Sequence, residues 1–369
     1  MKGKPLTMLA VGEVILELPQ GEYYLAQAAP VLKSGDVVIG QGEVAFTSRG
    51  VSTYVDMFPS PGCPPGNMGA LATAGFNVIT LAGNHIWDMG APGIEDTIEG
   101  LRSYGIAAVG AGMNIDEARR PLILERDGTR FGFLNYNCVG TMGHWATQGK
   151  PGCAYVHVIA HYETNGGNLG GPPAIYTFAD PRSLQAMVED VQNLRPLCDI
   201  LTVVFHKGIS HTTDIAMYDH QVSYAAIDAG ADLILGHHAQ ILKGVEQYKG
   251  KFIFHDIGRF VTATKGLTEK QVKEMRSLAA PNLSGSASLQ QDPARNLTMI
   301  AKFVIENRKI SRVGFLPCMI NAERQAEVLK NDERGQRVFD FMDKATRSSG
   351  LNTHYEWKGD EILVRGDKT

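Results

Sequence analysis

The chain has 369 residues, of which 44% are hydrophobic and 20% are charged, so its composition is that of a globular protein with a sizeable core. Its 35 basic and 39 acidic side chains leave a formal net charge of −4 without a long basic run, which argues against nucleic acid as a partner. Five scattered cysteines form no CxxC pair, so neither a disulfide framework nor a zinc ribbon is indicated.

The first apolar segment is interpreted as a buried strand and not as a targeting signal. Residues 6–11 are apolar, but Glu13 follows soon after, and the run is far shorter than the roughly 18 apolar residues of a membrane-spanning helix. We therefore expect a cytoplasmic protein without a membrane anchor, whose partner is a small-molecule or peptide substrate. The sequence leaves the oligomeric state open.

Strands and helices then alternate in the rhythm of crossover units. The predicted helices occupy residues 23–33, 68–74, 93–104, 183–194, 219–229 and 334–345. The predicted strands after the first occupy residues 37–39, 78–81, 106–109, 200–205, 232–235, 297–305 and 310–316. Within residues 121–135, the dipeptide Asp127-Gly128 predicts the tight turn of an antiparallel hairpin. The pattern as a whole predicts a layered α/β fold.

Two segments interrupt this alternation. Residues 140–173 are rich in glycine and look too broken for regular structure, so they form either a surface excursion or a lid over the site. Residues 262–295 are interpreted as a mobile connection. Because there is no internal repeat and no sharp shift in composition, we expect a catalytic domain over residues 1–261, with residues 262–369 as an extension that packs on it.

The strongest local signal is the loop that follows the predicted strand 78–81. Asn84 offers an amide oxygen as a metal ligand, His85 offers a proton-transfer group, and Asp88 lies close enough in sequence to orient the imidazole. Taken alone, this arrangement is also typical of an ordinary turn or helix cap.

Ligand-type side chains follow four further predicted strands. Glu13 and Glu43 follow the first two strands, His206 ends the strand 200–205, and His237 with His238 ends the strand 232–235. The carboxyl ends of parallel strands meet at one edge of a sheet, so these side chains should converge. Nitrogen and oxygen ligands suit zinc, manganese or iron, and the sequence therefore predicts a divalent metal site.

The order and spacing of these motifs resemble the CapA-type poly-gamma-glutamate capsule proteins, a branch of the calcineurin-like metallophosphatase superfamily. The resemblance covers nearly the whole chain. It implies a four-layer αββα sandwich with the site at the strand ends. The matching motifs are Gly12-Glu13-Val14, Gln41-Gly42-Glu43, Ala82-Gly83-Asn84-His85-x-x-Asp88-x-Gly90, His206-x-Gly208, Gly236-His237-His238-x-Gln240 and His255-Asp256-Ile257-Gly258-Arg259-Phe260.

The resemblance also implies a ligand set. One metal would be held by a carboxylate, an amide and two imidazoles, namely Glu43, Asn84, His206 and either His237 or His238. A second metal would rely on Glu13 and Glu43, and this position is poorly supplied because Gln240 stands where the family has a histidine. An amide oxygen is a weak ligand for borderline-soft metals.

Two further departures from the family pattern add positive charge. Lys207 stands in place of a tryptophan and Arg259 in place of an asparagine. A guanidinium binds a carboxylate or phosphate through two hydrogen bonds, so an anionic substrate is expected, with Gln240 as a third candidate contact. The alternative is that either cation is a surface charge.

Three functions fit these residues. The favoured one is a metal-dependent hydrolase of an amide or ester bond in a small carboxylate-bearing or peptide-like substrate, with a metal-bound hydroxide as nucleophile and His85, supported by Asp88, as the proton-transfer group. The second is an epimerase or lyase that moves a proton next to a carbonyl. The third is a non-catalytic component of poly-gamma-glutamate capsule synthesis.

Overall fold

The computed structural model describes residues 4–50, 52, 62–164, 174–264 and 293–366. Its strands, numbered in chain order, are β1 (Leu6–Leu16), β2 (Val37–Gly42), β3 (Val78–Thr80), β4 (Ala107–Val109), β5 (Ala111–Gly112), β6 (Leu122–Arg126), β7 (Thr129–Asn137), β8 (Gly152–Cys153), β9 (Val158–Glu163), β10 (Ala174–Ala179), β11 (Ile200–Lys207), β12 (Leu233–His238), β13 (Val245–Tyr248), β14 (Lys251–Phe254), β15 (Arg259–Ala263), β16 (Leu297–Glu306), β17 (Lys309–Ile320), β18 (Ala326–Val328), β19 (Thr353–Lys358) and β20 (Glu361–Gly366).

Within the described ranges the helices are fewer than the strands, although the longest helices exceed every strand in length. They are α1 (Gly21–Leu25), α2 (Ala29–Leu32), α3 (Asn67–Ala74), α4 (Gly90–Ser103), α5 (Ile115–Ala118), α6 (Pro181–Leu194), α7 (Met217–Ala229) and α8 (Glu333–Ser348). Across the described ranges, no helix is both long enough and apolar enough to cross a membrane.

Two large sheets carry the fold. The larger has ten strands, with β19-β20-β17-β16-β1-β2-β3-β4 as its main order, β15 parallel to the end of β1 and β18 against β17. The smaller has the order β13-β14-β12-β11-β7-β6, in which β7, β11, β12 and β14 are parallel. The parallel strands of each sheet are those that lead into the motifs identified above.

The strand β1 separates two hydrophobic cores. Met8 and Ala10 pack into the core between the two sheets, whereas Leu9 and Val11 pack into the core under α3 and α4. Side chains of a strand alternate between faces, so a strand that is buried on both sides must be apolar at every position. This explains why residues 6–11 are apolar apart from Thr7.

The remaining core completes the layers. Phe131, Val204 and Leu235 of the smaller sheet face the larger sheet. On the outer surface of the smaller sheet, Met187 of α6 and Val222 of α7 join a third buried cluster. The layers are therefore helix, sheet, sheet and helix, which is the expected four-layer αββα sandwich.

Two local predictions differ from the structure, and a third falls largely outside the described residues. The helix predicted over residues 23–33 is two short helices, α1 and α2, because Pro30 has no N–H group to continue the hydrogen bonding of the first. Residues 140–173 contain the strands β8 and β9, and β9 pairs with β10, although residues 165–173 lie outside the described part. Residues 265–292 of the predicted mobile connection also lie outside it.

Candidate metal centre

The polar side chains reach one edge of the two sheets from five strands. Glu43 directly follows β2, Asn84 and His85 follow β3, His206 lies at the end of β11, and His238 ends β12. Their strands are parallel within each sheet, so their carboxyl ends meet at the same edge. The topology thus brings Glu43 close to His238, although the two residues are 195 positions apart in the sequence.

Glu13 reaches the same edge in a different way. The sequence suggested that it follows the first strand, but β1 continues to Leu16, and the pairing of β1 with β2 and with β15 shifts register at Glu13. A shift of this kind redirects a side chain within a strand. Gly12 permits the close approach of the neighbouring backbone, since a Cβ atom there would lie 1.6 Å from the carbonyl oxygen of Gly258.

The imidazole of His206 is at the centre of the cluster. Its Nε2 atom lies 2.6 Å from Oδ1 of Asn84 and 3.1 Å from Nδ1 of His238, and its Nδ1 atom lies 2.6 Å from Nε2 of Gln41. His206 is completely buried. Burial, followed by the neighbouring His238, holds the pKa of His206 well below its usual value, so the ring is neutral and suited to a cation.

Two buried carboxylates accompany this imidazole. Glu13, Glu43 and His206 each place one ligand atom within 4.8 Å of the others. Oε1 of Glu13 accepts a hydrogen bond of 2.5 Å from the backbone N–H of His238, but its Oε2 has no partner within the described residues. Burial raises the pKa of Glu43 to about 7 and that of Glu13 well above its usual value.

The donor set fits a divalent cation. An unpartnered carboxylate oxygen in a buried position costs free energy, and a cation offsets that cost. The two carboxylates, one amide and two imidazoles are oxygen and nitrogen ligands of the kind that zinc, manganese and iron accept. The residues that would hold it are Glu13, Glu43, Asn84, His206 and His238.

His85 and Asp88 form a separate pair beside this cluster. Oδ2 of Asp88 lies 2.7 Å from Nδ1 of His85, and the carboxylate is buried while 38% of the imidazole side chain is exposed. Burial lowers the pKa of His85, but the hydrogen bond to Asp88 and the charge of Glu43 outweigh it and raise the pKa to about 9. The pair can hold a proton at the rim of the site.

His237 has a different environment from His238. It is buried, its Nε2 atom lies 3.3 Å from the backbone oxygen of Val11, and its Nδ1 atom has no partner in the described part of the chain. Burial lowers the pKa of His237 to about 4. Of the two adjacent histidines, His238 is the one in contact with His206.

Lys207 points away from the cluster. It is completely buried, and its Nζ atom lies 3.8 Å from a carboxylate oxygen of Asp219 and 3.3 Å from Nδ1 of His255. Oε2 of Glu246 in turn lies 2.9 Å from His255 and 3.1 Å from His220. The charge of Lys207 is therefore balanced inside the protein.

Arg259 lies nearer to the cluster, whereas no contact with the cluster is found for Gln240 among the described residues. Arg259 pairs with Glu13 in the register of β15 and β1, and its Nη2 atom donates to the backbone oxygen of Arg295 at 3.2 Å. Burial, with the charge of Arg295, lowers the pKa of Arg259 to about 10, so it remains a cation at neutral pH. Gln240 is partly buried with a φ of 57°, and within the described ranges its side chain makes no hydrogen bond.

Two buried residues at the candidate metal centre were not identified as functional from the sequence. Gln41 contacts His206, although the sequence marked it only as a member of the motif Gln41-Gly42-Glu43. Asp256 is buried near Glu13, accepts hydrogen bonds from the backbone of Ala239 and Gly258, and burial raises its pKa to about 7. The only sequence signal for Asp256 is its place in a motif shared with the family, His255-Asp256-Ile257-Gly258.

The buried His255 gives one prediction about stability. Burial, followed by the charge of Lys207, lowers the pKa of His255 to about 4, against the opposing effect of the hydrogen bond that His255 donates to Glu246. The unfolded chain therefore binds a proton below pH 6.5 that the folded protein does not, and stability falls as the pH decreases from 6.5 to 4. In His255→Gln this dependence should be weaker by up to about 1.4 kcal/mol per pH unit. Urea unfolding at several pH values measures it, and parallel curves would contradict the assignment.

Known bacterial proteins resemble this chain in sequence. The capsule biosynthesis protein CapA of Bacillus anthracis is 26% identical over 270 residues, covering 70% of this chain and 60% of the relative. A probable polyglutamine synthesis accessory protein of Mycobacterium tuberculosis is 30% identical over 241 residues, covering 63% of this chain and 58% of the relative. The chain therefore spans about three fifths of the length of these relatives.

Solved structures and family models give the remaining comparisons. A hypothetical protein from Thermus thermophilus has a TM-score of 0.48 and 17% identity, with 85% of this chain and 98% of that chain covered. The family model described as bacterial capsule synthesis protein PGA_cap matches residues 7–264. This family lies within the metallophosphatase-like superfamily. Since the match covers more than half of the chain, the protein belongs to the bacterial capsule synthesis protein family.

Proposed function

We propose that this chain is a metal-dependent hydrolase of an amide or ester bond in a small, carboxylate-bearing or peptide-like substrate. The observation that carries the proposal is the convergence of Asn84, His206 and His238 beside two buried carboxylates, one of which has an unpartnered oxygen. A divalent cation held there would polarise a carbonyl group and promote attack by water.

The side chains around the cluster have distinct tasks in this proposal. His85 is exposed enough to meet a substrate and donates a proton to the leaving nitrogen or oxygen, while Asp88 fixes the orientation of its ring. Arg259 is a cation next to Glu13. Its strand β15 pairs with β1, whereas His85 follows β3 on the other side of β1, so the two residues lie on opposite sides of the cluster. Arg259 binds a carboxylate of the substrate through its guanidinium.

The activity can be tested with a chromogenic amide that carries one free carboxylate. The p-nitroanilide of glutaric acid is expected to release p-nitroaniline in the presence of Zn²⁺, Mn²⁺ or Fe²⁺, and a chelator should abolish the release. Incubation in heavy water provides the contrast, because an epimerase or lyase would exchange the hydrogen next to the carbonyl. Exchange without release would contradict the hydrolase and favour proton transfer at carbon.

Arg259 provides a prediction about substrate binding. Replacing it with methionine keeps a flexible apolar stem but removes the guanidinium, so binding of glutarate should weaken by about 1.5 to 3 kcal/mol, the range for hydrogen bonds to charged groups. Calorimetry on the metal-loaded protein measures this. Glutaramate, which has one carboxylate replaced by an amide, is the matched ligand for the native protein. If neither change reduces the affinity, Arg259 does not recognise the carboxylate.

A further inference from the structure

The side chain of Gln41 lies between Glu43 and His206 in the candidate metal centre. It is completely buried, and its Nε2 atom lies 2.6 Å from Nδ1 of His206 and 3.2 Å from Oε2 of Glu43. Its Oε1 atom has no hydrogen-bond partner among the described residues. Packing fixes the position of the amide, since a Cβ atom on Gly83 would lie only 2.9 Å from its Nε2.

This arrangement determines which nitrogen of His206 carries the proton. A neutral imidazole has one N–H donor and one acceptor. Because the amide nitrogen of Gln41 is a donor, Nδ1 of His206 must accept, and its Nε2 carries the proton and donates it to Oδ1 of Asn84 at 2.6 Å. The chain of hydrogen bonds from Glu43 to Asn84 is then complete, but Nε2 has no lone pair for a cation.

The opposite orientation of the amide has the opposite effect. The two ends of a glutamine amide have nearly the same shape, so the group can turn over in the same space. With Oε1 facing Nδ1 of His206, the proton moves to Nδ1, and Nε2 presents its lone pair next to Oδ1 of Asn84. Two acceptors 2.6 Å apart repel each other unless a cation lies between them and their neighbours.

Glu43 links this orientation to the cation. In the cation-free arrangement its Oε2 accepts a hydrogen bond from the amide nitrogen of Gln41. If the amide turned over, Oε1 of Gln41 would instead face Oε2 of Glu43 at 3.2 Å. A cation that takes Glu43 as a ligand removes this conflict by drawing the carboxylate charge to itself. The free site therefore favours the amide nitrogen next to His206, and the loaded site favours the amide oxygen.

We propose that Gln41 is a positioning residue that sets the tautomer of His206, and that its amide turns over when a divalent cation binds. The inference rests on the metal site of the proposed function. Metal-ligating histidines usually donate a hydrogen bond from their second ring nitrogen to a carbonyl or carboxylate. Losing such a partner typically changes metal affinity 10- to 100-fold. Gln41 supplies this partner only after it has turned.

The direct test is nitrogen NMR of the imidazole of His206 in protein labelled with ¹⁵N-histidine. In the cation-free protein the proton is expected on Nε2, and after addition of Zn²⁺ it is expected on Nδ1, with Nε2 bound to the metal. A proton that stays on Nε2 in the loaded protein, or a metal bound through Nδ1, would overturn the proposal. This measurement needs no variant, so it stands even where a substitution impairs folding.

The variant Gln41→Glu tests the same idea through affinity. A carboxylate can only accept, so it fixes the proton on Nδ1 before the cation arrives, and Zn²⁺ should bind at least tenfold more tightly than in the native protein. Mg²⁺ is the matched control, because it avoids imidazole and responds only to the added charge. An equal gain for both cations, or no gain for Zn²⁺, would contradict the role of Gln41. A native protein that binds no Zn²⁺ would instead refute the proposed function itself.

Discussion

Replacing His85 with alanine is expected to lower the rate of amide or ester hydrolysis about 100- to 10,000-fold while the content of divalent cation stays unchanged. His85 contacts Asp88 and lies beside the ligand cluster, but it makes no hydrogen bond to Asn84, His206 or His238 among the described residues. Its loss removes the proton donor for the leaving group and leaves the ligands in place. Steady-state kinetics with elemental analysis of the same sample measures both effects.

Asp88→Asn is the matched variant for this prediction. Asparagine keeps the size of the side chain but removes the negative charge that orients His85 and favours its protonated form. We expect a smaller loss of rate than in His85→Ala, again with the cation retained. If His85→Ala loses the cation, His85 is a ligand and not a proton-transfer group, and its assignment is wrong.

The second large effect is expected at His206. In His206→Ala the cluster loses the imidazole that contacts both Asn84 and His238, so the affinity for Zn²⁺ should fall at least 100-fold. Competition with a chromogenic chelator measures this affinity. Hydrolysis should fall in parallel, because the carbonyl of the substrate would no longer be polarised.

His237 offers a matched control for this loss. It lies opposite His206 in the register of β11 and β12, but its Nε2 atom faces the backbone oxygen of Val11. His237→Gln should therefore keep Zn²⁺ affinity close to that of the native protein, whereas His238→Gln should weaken it. The reverse order would show that His237, and not His238, belongs to the ligand set.

Much of the fold could be predicted because its signals are local. The largely apolar runs of β1, β11 and β12 require burial on both faces, which parallel strands under helices provide. The turn at Asp127-Gly128 joins β6 and β7 as predicted, with positive φ angles of 46° and 73° at these two residues. The ends of these strands then indicate which loops share an edge of the sheets.

The orientation of single side chains was harder to predict. His206 and Lys207 are neighbours in β11, and side chains alternate between the faces of a strand. The same alternation that directs His206 toward the larger sheet directs Lys207 toward α7, where it meets Asp219. The sequence hypothesis placed Lys207 as well as Arg259 near the substrate without applying this rule, and an anion contact at Arg259 stays a prediction.

Irregular backbone limited the prediction at two other positions. The register of β11 and β12 alone would place His237 next to His206, but a φ of 100° at His238 turns its side chain back toward that ring. Glu13 depends in the same way on a register shift within β1. Such departures arise from contacts between distant segments, which a single sequence does not reveal.

Elemental analysis of the freshly purified protein shows directly whether the cluster binds a metal ion. The proposed function requires one cation held by Glu13, Glu43, Asn84, His206 and His238, and the second metal position that the family resemblance implies lacks a histidine because Gln240 stands in its place. We expect close to one divalent transition metal ion per chain of the native protein, and close to none in His206→Ala. A content near two ions per chain, or no bound ion in the native protein, would contradict it.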